Sequence, residues 1–238
     1  KHLWATEMKY EKTTCFLPCR KGSERIPNKN IKPFGGHAFG LIEIKLKQLL
    51  EAEAVDAIVL STNDESILDY ASSLQSNKIT LHKRREELSS SQTSTDQLVA
   101  HALELIGEGN ILWTHVTSPF LSASHYNEIV KLHNEKVLTG YDSLMTTNLL
   151  HGFLWQNGEA MNYDRNVEKW PRTQTLTPVH EVNSGVFLAH ASIYRELDDR
   201  IGRKPYLHPL GKLISHDIDW PEDFTIAECL LEKGLVTL

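Results

Sequence analysis

CFLPC (residues 15–19) runs directly into RKGSERIPNKNIK (residues 20–32), so an apolar run of strand length precedes a basic loop. The loop carries five basic side chains against one acidic one, a local charge of +4 in a chain whose formal total is −6. Such a reversal indicates a polyanionic ligand. Gly22 and Ser23 let backbone N–H groups turn inward and Pro27 stiffens the exit, which is typical of a loop that cradles a triphosphate.

The basic loop matches neither of the two common phosphate-binding fingerprints. The pattern Gly-x-x-x-x-Gly-Lys-Ser/Thr is absent, and the glycines of residues 35–40 do not fit the dinucleotide pattern. Arginine and lysine therefore supply the charge in this design. The alternative is a solvated basic surface loop, which the glycine, serine and proline placed among the cations disfavour.

Short apolar runs alternate with helix-period segments on the C-terminal side of this loop. The predicted strands are Thr14–Cys19, Ala57–Ser61, Ile79–His82, Ile111–Val116, Ser143–Thr147, Asn183–His190 and Leu213–Ile218. The predicted helices are Phe39–Ala52, Glu65–Leu74, Thr95–Ile106, Ala123–Glu135 and Pro221–Glu232. This order predicts parallel strands joined by right-handed crossovers. The fold class is therefore α/β, with a mostly parallel, Rossmann-like sheet and helices on both faces.

The chain length is sufficient for one large core, and we expect a single domain over residues 14–238. Residues 1–13 are polar and mixed, so we expect an N-terminal extension or tag remnant there, with Met8 as the natural start. Between residues 140 and 182 the alternation weakens, which predicts an excursion from the main sheet.

Composition limits the possible partners and compartments. No apolar run approaches the roughly 18 to 20 residues of a membrane-spanning helix, and the N-terminus lacks the layout of a secretory signal. Three cysteines, an odd number, argue against a disulfide framework and for a reducing compartment. We therefore predict a cytoplasmic protein with no membrane partner, and we expect no nucleic-acid partner.

Cysteine and histidine offer no predicted metal site. On a strand, Cys15 and Cys19 would lie roughly 13 Å apart, too far to share one zinc ion. The twelve histidines never recur at a spacing of three or four residues.

The motif Asp217-Ile218-Asp219 closes the predicted strand Leu213–Ile218. Alternation along a strand points both carboxylates to one face, about 6 to 7 Å apart, where they can hold a hard divalent cation with water completing its shell. Magnesium is the natural ion where phosphates are handled. The alternative is a pair of exposed acids that cap the helix beginning at Pro221.

Residues 20–30 resemble the N-terminal signature of the acylneuraminate cytidylyltransferases, Arg-x-Gly-Ser-x-x-x-Pro-x-Lys-Asn. Further similar segments follow in the family's order at residues 60–65, 83–88, 90–96, 117–119, 183–185 and 217–219. Each match is weak, but their number and order make the resemblance specific. It implies a nucleotidyltransferase fold and an enzyme that joins CTP to a 2-keto-3-deoxy sugar acid, sialic acid or a related nonulosonic acid, giving the CMP-sugar and pyrophosphate.

The resemblance also implies roles for individual residues. Arg20 and Lys29 would bind the triphosphate and the charge developing on the departing pyrophosphate, and Asp219 would help to remove the proton from the sugar hydroxyl. Asp217 and Asp219 would hold Mg²⁺. Asn30 and Arg84 would read the cytosine. The full nucleotide-binding set is Arg20, Gly22, Ser23, Lys29, Asn30, Arg84 and Ser94.

The sugar pocket departs from the sialic acid pattern. The implied sugar-binding residues are His115, Thr117, Arg172, Asn183 and Phe187. His115-Val116 stands where the family commonly has glutamine-proline, Ser91 replaces a usual aspartate, and residues 181–182 lack the usual basic side chain. A different nonulosonic acid is therefore an open alternative. His115 is equally interpreted as a satisfied histidine at a strand end.

Two other functions use parts of the same pattern. Metal-dependent glycosyltransferases carry Asp-x-Asp but do not need a basic loop after the first strand. A non-catalytic nucleotide-binding regulator would keep the fold, but the joint presence of Arg20, Lys29, Asp217 and Asp219 disfavours it. Residues 140–182 resemble the dimerisation element of the family, which implies a homodimer.

Overall fold

The computed structural model describes residues 11–238, so most of the predicted N-terminal extension lies outside the described residues. The strands are β1 (Thr13–Pro18), β2 (Ala57–Thr62), β3 (Ile79–Lys83), β4 (Asn110–Thr114), β5 (Ser143–Leu150), β6 (Trp155–Gln156), β7 (Glu159–Ala160), β8 (Val179–His190) and β9 (Pro205–Pro209). The helices are α1 (Gly40–Glu51), α2 (Glu65–Ser73), α3 (Thr95–Leu105), α4 (Ala123–Val137), α5 (Ala191–Leu197) and α6 (Pro221–Glu232).

Seven strands form one sheet in the order β3-β2-β1-β4-β8-β5-β9. The pairs β1/β2, β1/β4, β2/β3 and β5/β9 are parallel, whereas β8 runs antiparallel to both of its neighbours. The predicted α/β class with a mostly parallel sheet is therefore confirmed.

Strand β1 lies inside the sheet and is buried along its whole length. Its alternate residues enter two separate cores, because successive side chains of a strand point to opposite faces. Cys15 and Leu17 pack with apolar side chains of α1, α4 and α6, while Phe16 packs with those of α3 and α5. Helices therefore cover both faces, as predicted. No helix within residues 11–238 is long and apolar enough to cross a bilayer.

The predicted strand Leu213–Ile218 is wrong. Its first residues form a turn in which the Ser215 N–H donates to the Gly211 carbonyl at 3.0 Å, and Leu213 is 40% exposed. Residues 216–219 have no regular secondary structure and join no strand of the sheet. The apolar pattern predicted a strand because it indicates burial, and Ile218 is indeed buried. Its burial comes from packing against the core, however, and not from pairing with a strand.

The strand of the seven-stranded sheet that was not predicted is β9, which pairs with β5 at the edge of the sheet. It begins and ends with proline, a residue that cannot donate to a strand ladder and is therefore confined to edge positions. The sequence PYLHP carries no alternating apolar signal, so neither its composition nor its pattern predicted a strand.

The excursion is shorter than the predicted 140–182. Strands β5 and β8 extend as an antiparallel ribbon, pairing as far as Leu150 with Val179, with a register shift between Met145 and Thr147. The intervening residues hold the small β6–β7 hairpin. Only residues 151–178 therefore leave the main sheet.

Candidate active site

A cavity of about 260 Å³ lies beyond the carboxyl ends of β1 and β4. Parallel sheets place ligands at this edge, where the strand order reverses. The lining combines the basic loop, the segment that follows β4 and one member of the acidic couplet: Pro18, Cys19, Arg20, Gly22, Ser23, Lys29, Asn30, His115, Val116, Thr117 and Asp219.

The basic loop is held in shape by its own polar groups. Arg20 Nη1 donates to the Gly22 carbonyl at 3.0 Å, and Asn30 Nδ2 donates to the Arg20 carbonyl at 3.2 Å. The Ser23 hydroxyl accepts the Ile26 N–H at 3.3 Å. Gly22 has a φ of +78°, a conformation that favours glycine. Asn30 is thus engaged in shaping the loop in addition to lining the cavity.

The basic loop is also anchored to the C-terminal helix. The Arg25 guanidinium lies 4.6 Å from the ring centroid of Trp220, and the Lys32 ammonium lies 4.2 Å from that of Phe224. Cations stack on aromatic faces with modest favourable energy. These contacts hold the loop beside the acidic couplet, which the sequence placed almost 200 residues away.

Lys29 makes the direct link between the two motifs. Its ammonium donates to the Ile218 carbonyl at 3.0 Å and to Asp219 Oδ1 at 3.4 Å. The Lys29 side chain is 13% exposed, whereas that of Asp219 is 48% exposed. The cation is therefore positioned by the protein, while the carboxylate remains open to a ligand.

The acidic couplet lies on a segment that has no regular secondary structure. Ile218 is fully buried, and its N–H donates to the Thr117 carbonyl at 3.0 Å. The alternative in which this couplet caps the last helix is wrong for Asp219. Asp223 Oδ2 accepts the N–H groups of Asp219 and Trp220 at 3.0 and 2.8 Å. The Asp219 carboxylate is consequently free to face the cavity.

The two carboxylates of the couplet are chemically suited to a divalent cation. Burial and the neighbouring charge of Asp219 raise the pKa of Asp217 to about 6, and a hydrogen bond from Thr117 opposes the shift. Adjacent carboxylates of this kind favour a counter-ion, and their oxygens are the ligands that Mg²⁺ prefers. Within residues 11–238 no group of three or more acidic, histidine or cysteine side chains is arranged to hold a metal ion. The remaining ligands would have to come from substrate or water.

His115 lines the cavity as a neutral imidazole. Its Nε2 accepts the Trp113 Nε1–H at 3.1 Å, so its Nδ1 carries the proton and donates to the Ser184 carbonyl at 3.0 Å. Burial lowers the pKa of His115 to about 4. The structure thus favours the interpretation of a satisfied strand-end histidine. His115 therefore contributes surface to the cavity wall, but it offers a ligand neither a positive charge nor an unoccupied ring nitrogen.

Two side chains of α1 hold the segment after β4. The fully buried Lys45 donates to the Ser118 carbonyl, the Leu121 carbonyl and the Tyr126 hydroxyl at 2.8, 3.2 and 2.8 Å. Burial lowers the pKa of Lys45 to about 7. Gln48 Nε2 donates to the Pro119 carbonyl at 2.7 Å. This role could not be predicted from the sequence, because lysine and glutamine are typical of the exposed face of a helix.

Two predicted nucleotide-binding residues lie outside the cavity lining. Arg84 is buried; its Nε donates to the Ser89 hydroxyl at 3.2 Å, and burial lowers its pKa. Ser94 is the N-cap of α3 and accepts the Gln97 N–H at 3.2 Å. Their contacts with a nucleotide stay predictions.

The predicted sugar-binding residues are dispersed. Arg172 is exposed in the excursion, and the Phe187 ring is buried in the core beside Trp113. Asn183 lines a second, polar cavity of about 390 Å³ that Asp217 and Lys212 also line. The couplet thus separates two cavities, since Asp219 lines the first and Asp217 the second.

A protein-family model described as cytidylyltransferase matches residues 14–203, which is most of the chain. The chain belongs to the cytidylyltransferase family. The resemblance indicated by the motifs of residues 20–30 and their successors is thereby confirmed, as is the prediction of a cytidylyltransferase.

Named relatives of this cytidylyltransferase handle several sugar acids. It is 26% identical to a pseudaminic acid cytidylyltransferase of Campylobacter jejuni, over 92% of this chain and 96% of that protein. It is 24% identical to a CMP-N,N'-diacetyllegionaminic acid synthase of Legionella pneumophila, over 91% of this chain and 94% of that protein.

A solved structure shares the fold of this cytidylyltransferase. It is a CMP:2-keto-3-deoxy-manno-octonic acid synthetase complexed with CTP, with a TM-score of 0.62 and 12% identity, covering 94% of this chain and 99% of the other. At this identity the likeness concerns the fold alone.

Proposed function

We propose that the protein transfers the cytidylyl group of CTP to the hydroxyl of a 2-keto-3-deoxy sugar acid, releasing pyrophosphate. The observation that carries this proposal is the single cavity in which the basic loop and Asp219 face one another, joined by Lys29. Membership of the cytidylyltransferase family supports the cytidine nucleotide. The names of the relatives support a sugar acid as acceptor.

The basic loop has the chemistry to bind the triphosphate. Backbone N–H groups near Gly22 and Ser23, with Arg20 and Lys29, offer donors and positive charge to phosphate oxygens. A unit charge pair at 4 Å is worth about 4 kcal/mol at an effective dielectric of 20, before desolvation. Only the increase in this attraction between the ground state and the transition state, as charge develops on the departing pyrophosphate, accelerates the reaction. Arg20 and Lys29 are therefore assigned to leaving-group stabilisation.

Asp217 and Asp219 are the residues that would hold Mg²⁺. When bound, the ion neutralises phosphate charge and orients the oxygens it contacts. We propose that Asp219 accepts the proton of the sugar hydroxyl; its position in the cavity lining and its contact with Lys29 support this role. No covalent nucleophile is needed, because positioning and fixed charges supply the catalysis.

The acceptor is proposed to be a nonulosonic acid other than, or in addition to, sialic acid. The first cavity is bordered by a neutral His115 and by Thr117, and the second by Asn183 and Glu181. Lys212 also borders the second cavity, but the residues directly before Asn183 are Glu181 and Val182, where the sialic acid pattern has a basic side chain. The pseudaminic and legionaminic acid enzymes among the relatives point in the same direction.

Incubation with CTP, Mg²⁺ and a panel of sialic, legionaminic, pseudaminic and octulosonic acids tests the proposal. We expect pyrophosphate release with at least one acid and a CMP-sugar of matching mass. Replacement of CTP by UTP is the control for nucleotide choice. Absence of pyrophosphate across the panel, with CTP binding intact, would contradict the reaction proposed.

We further propose that the protein is a cytoplasmic homodimer whose CMP-sugar product supplies polysaccharide biosynthesis. The excursion carries large apolar side chains that are strongly exposed, among them Met161 (53%), Val167 (84%) and Trp170 (63%). Burial of such a patch against a second copy would remove apolar surface from water. Light scattering tests the assembly, and a mass of one subunit at working concentration would refute it.

A further inference from the structure

Arg200 is a half-buried cation whose guanidinium has no ion-pair partner within the described residues. It follows α5 and packs its guanidinium over two aromatic rings, 3.6 Å from the centroid of Phe187 and 4.7 Å from that of Trp113. Within residues 11–238 its guanidinium takes part in no ion pair and no hydrogen bond. The adjacent Asp199 accepts the backbone N–H of Arg200 at 2.7 Å instead. Burial lowers the pKa of Arg200, so the surroundings disfavour an uncompensated charge.

Arg200 is not part of the lining of the first cavity, but it contacts the wall of that cavity through Trp113. Trp113, which lies under the guanidinium, donates its indole N–H to His115, and His115 lines the first cavity. The charge of Arg200 is one of the influences that lower the pKa of His115. Trp113 and Phe187 are register partners on β4 and β8, so Arg200 lies on the β8 side of the site, whereas the basic loop lies on the β1 side.

The sugar acid carries a carboxylate, and the residues of the basic loop are not assigned to bind it. Under the proposed function, Arg20 and Lys29 bind the triphosphate and the departing pyrophosphate, so neither is available to the carboxylate of the acid. His115 is neutral and both of its nitrogens are engaged. A buried or half-buried arginine is stabilised by a planar anion that matches its fork of N–H donors.

We propose that the guanidinium of Arg200 binds the carboxylate of the sugar acid. This inference rests on the proposed function and adds a specificity residue to it. Phe187 then contributes to sugar binding indirectly, because its buried ring packs against the guanidinium. Stacking on two rings restricts the arginine to one orientation, which lowers the conformational entropy lost on binding.

The test compares Arg200→Met with Arg195→Met, an exposed arginine of α5 whose Nη1 donates to the Gly107 carbonyl at 2.8 Å. We expect Arg200→Met to raise the KM for the accepted sugar acid at least tenfold and to leave the KM for CTP within twofold. Arg195→Met should change neither value. A raised KM for CTP with an unchanged KM for the acid would overturn the inference, because the anion bound would be a phosphate.

A second measurement separates charge recognition from a structural effect. The wild-type protein should prefer the sugar acid to its carboxamide by at least tenfold in kcat/KM, and Arg200→Met should prefer it less than twofold. An unchanged preference would overturn the inference. If Arg200→Met does not fold, Arg200→Lys is used instead, because lysine keeps the charge but lacks the planar array of N–H donors. We expect a raised KM for the acid in Arg200→Lys, and an unaltered KM would overturn the inference. Absence of turnover by the wild-type protein would instead refute the proposed function, and this inference with it.

Discussion

The ammonium of Lys29 lies 3.4 Å from Oδ1 of Asp219, although 190 residues separate them in the chain. The pair contributes little to stability, because the carboxylate is about half exposed and solvent screens the attraction. Its importance is positional. It places a cation and a candidate metal ligand side by side in the lining of the same cavity.

Replacement of Lys29 by alanine should depress turnover. Lys29→Ala removes a cation from the leaving-group side, so we expect kcat to fall by about two to three orders of magnitude. Lys21→Ala is the matched control, because Lys21 belongs to the same loop and is exposed. Steady-state pyrophosphate release measures both. A near-normal rate in Lys29→Ala, with the melting temperature unchanged, would remove Lys29 from catalysis.

Asp219→Asn should weaken the response to magnesium. The substitution keeps the size of the side chain but removes a charge, so we expect at least a tenfold higher Mg²⁺ concentration at half-maximal rate and a much lower kcat. Glu222→Gln serves as the control, since Glu222 is exposed at the start of α6. Titration of Mg²⁺ at saturating CTP gives both values. An unchanged magnesium curve would show that Asp219 is not a ligand.

Stability should fall at mildly acidic pH. Burial lowers the pKa of His133 to about 4, and neither of its ring nitrogens has a hydrogen-bond partner within residues 11–238. Between an unfolded pKa of about 6.5 and the folded value, the unfolded chain binds more protons. The contribution of neutral His133 is therefore complete above about pH 6.5 and is lost as the pH falls towards 4, amounting to about 3 kcal/mol.

Urea unfolding at pH 7 and pH 4.5 measures this loss. His133→Leu should show a smaller decline in the free energy of unfolding between the two pH values than the wild-type protein. The exposed His151 provides the control, and His151→Leu should retain the wild-type decline. Equal declines in His133→Leu and the wild-type protein would contradict the assignment.

Gly40 should not tolerate alanine. It starts α1 with a φ of +60°, and an added Cβ would lie 1.9 Å from the Lys32 carbonyl oxygen, so the end of the basic loop would have to move. We expect Gly40→Ala to lower the free energy of unfolding by about 3 kcal/mol or more. Gly36→Ala, also at positive φ but with no atom within 4 Å, should cost only about 1 kcal/mol. Equal losses in the two variants would show that the contact with Lys32 is unimportant.

Much of the fold could be predicted because local signals and tertiary structure agree. The helix α6 begins at Pro221 and ends at Glu232 as predicted, since a proline at its first position and acidic residues in its first turn mark the start. The apolar run before the basic loop is a buried central strand. The prediction of a strand at Leu213–Ile218 failed because a residue can be buried without pairing to a strand. The strand β9 was not predicted because it is an edge strand that begins and ends with proline.

The amino-acid sequence by itself determined the α/β class, the basic loop, the acidic couplet and the family, because all four depend on residue type and spacing along the chain. Only the tertiary structure decided which charges meet. It buried Lys45, fixed His115 as a neutral imidazole and brought Lys29 to Asp219, and within residues 11–238 it formed no ion pair with Arg200. The physical reason is that pKa, burial and ion pairing depend on distances through space, which sequence separation does not encode.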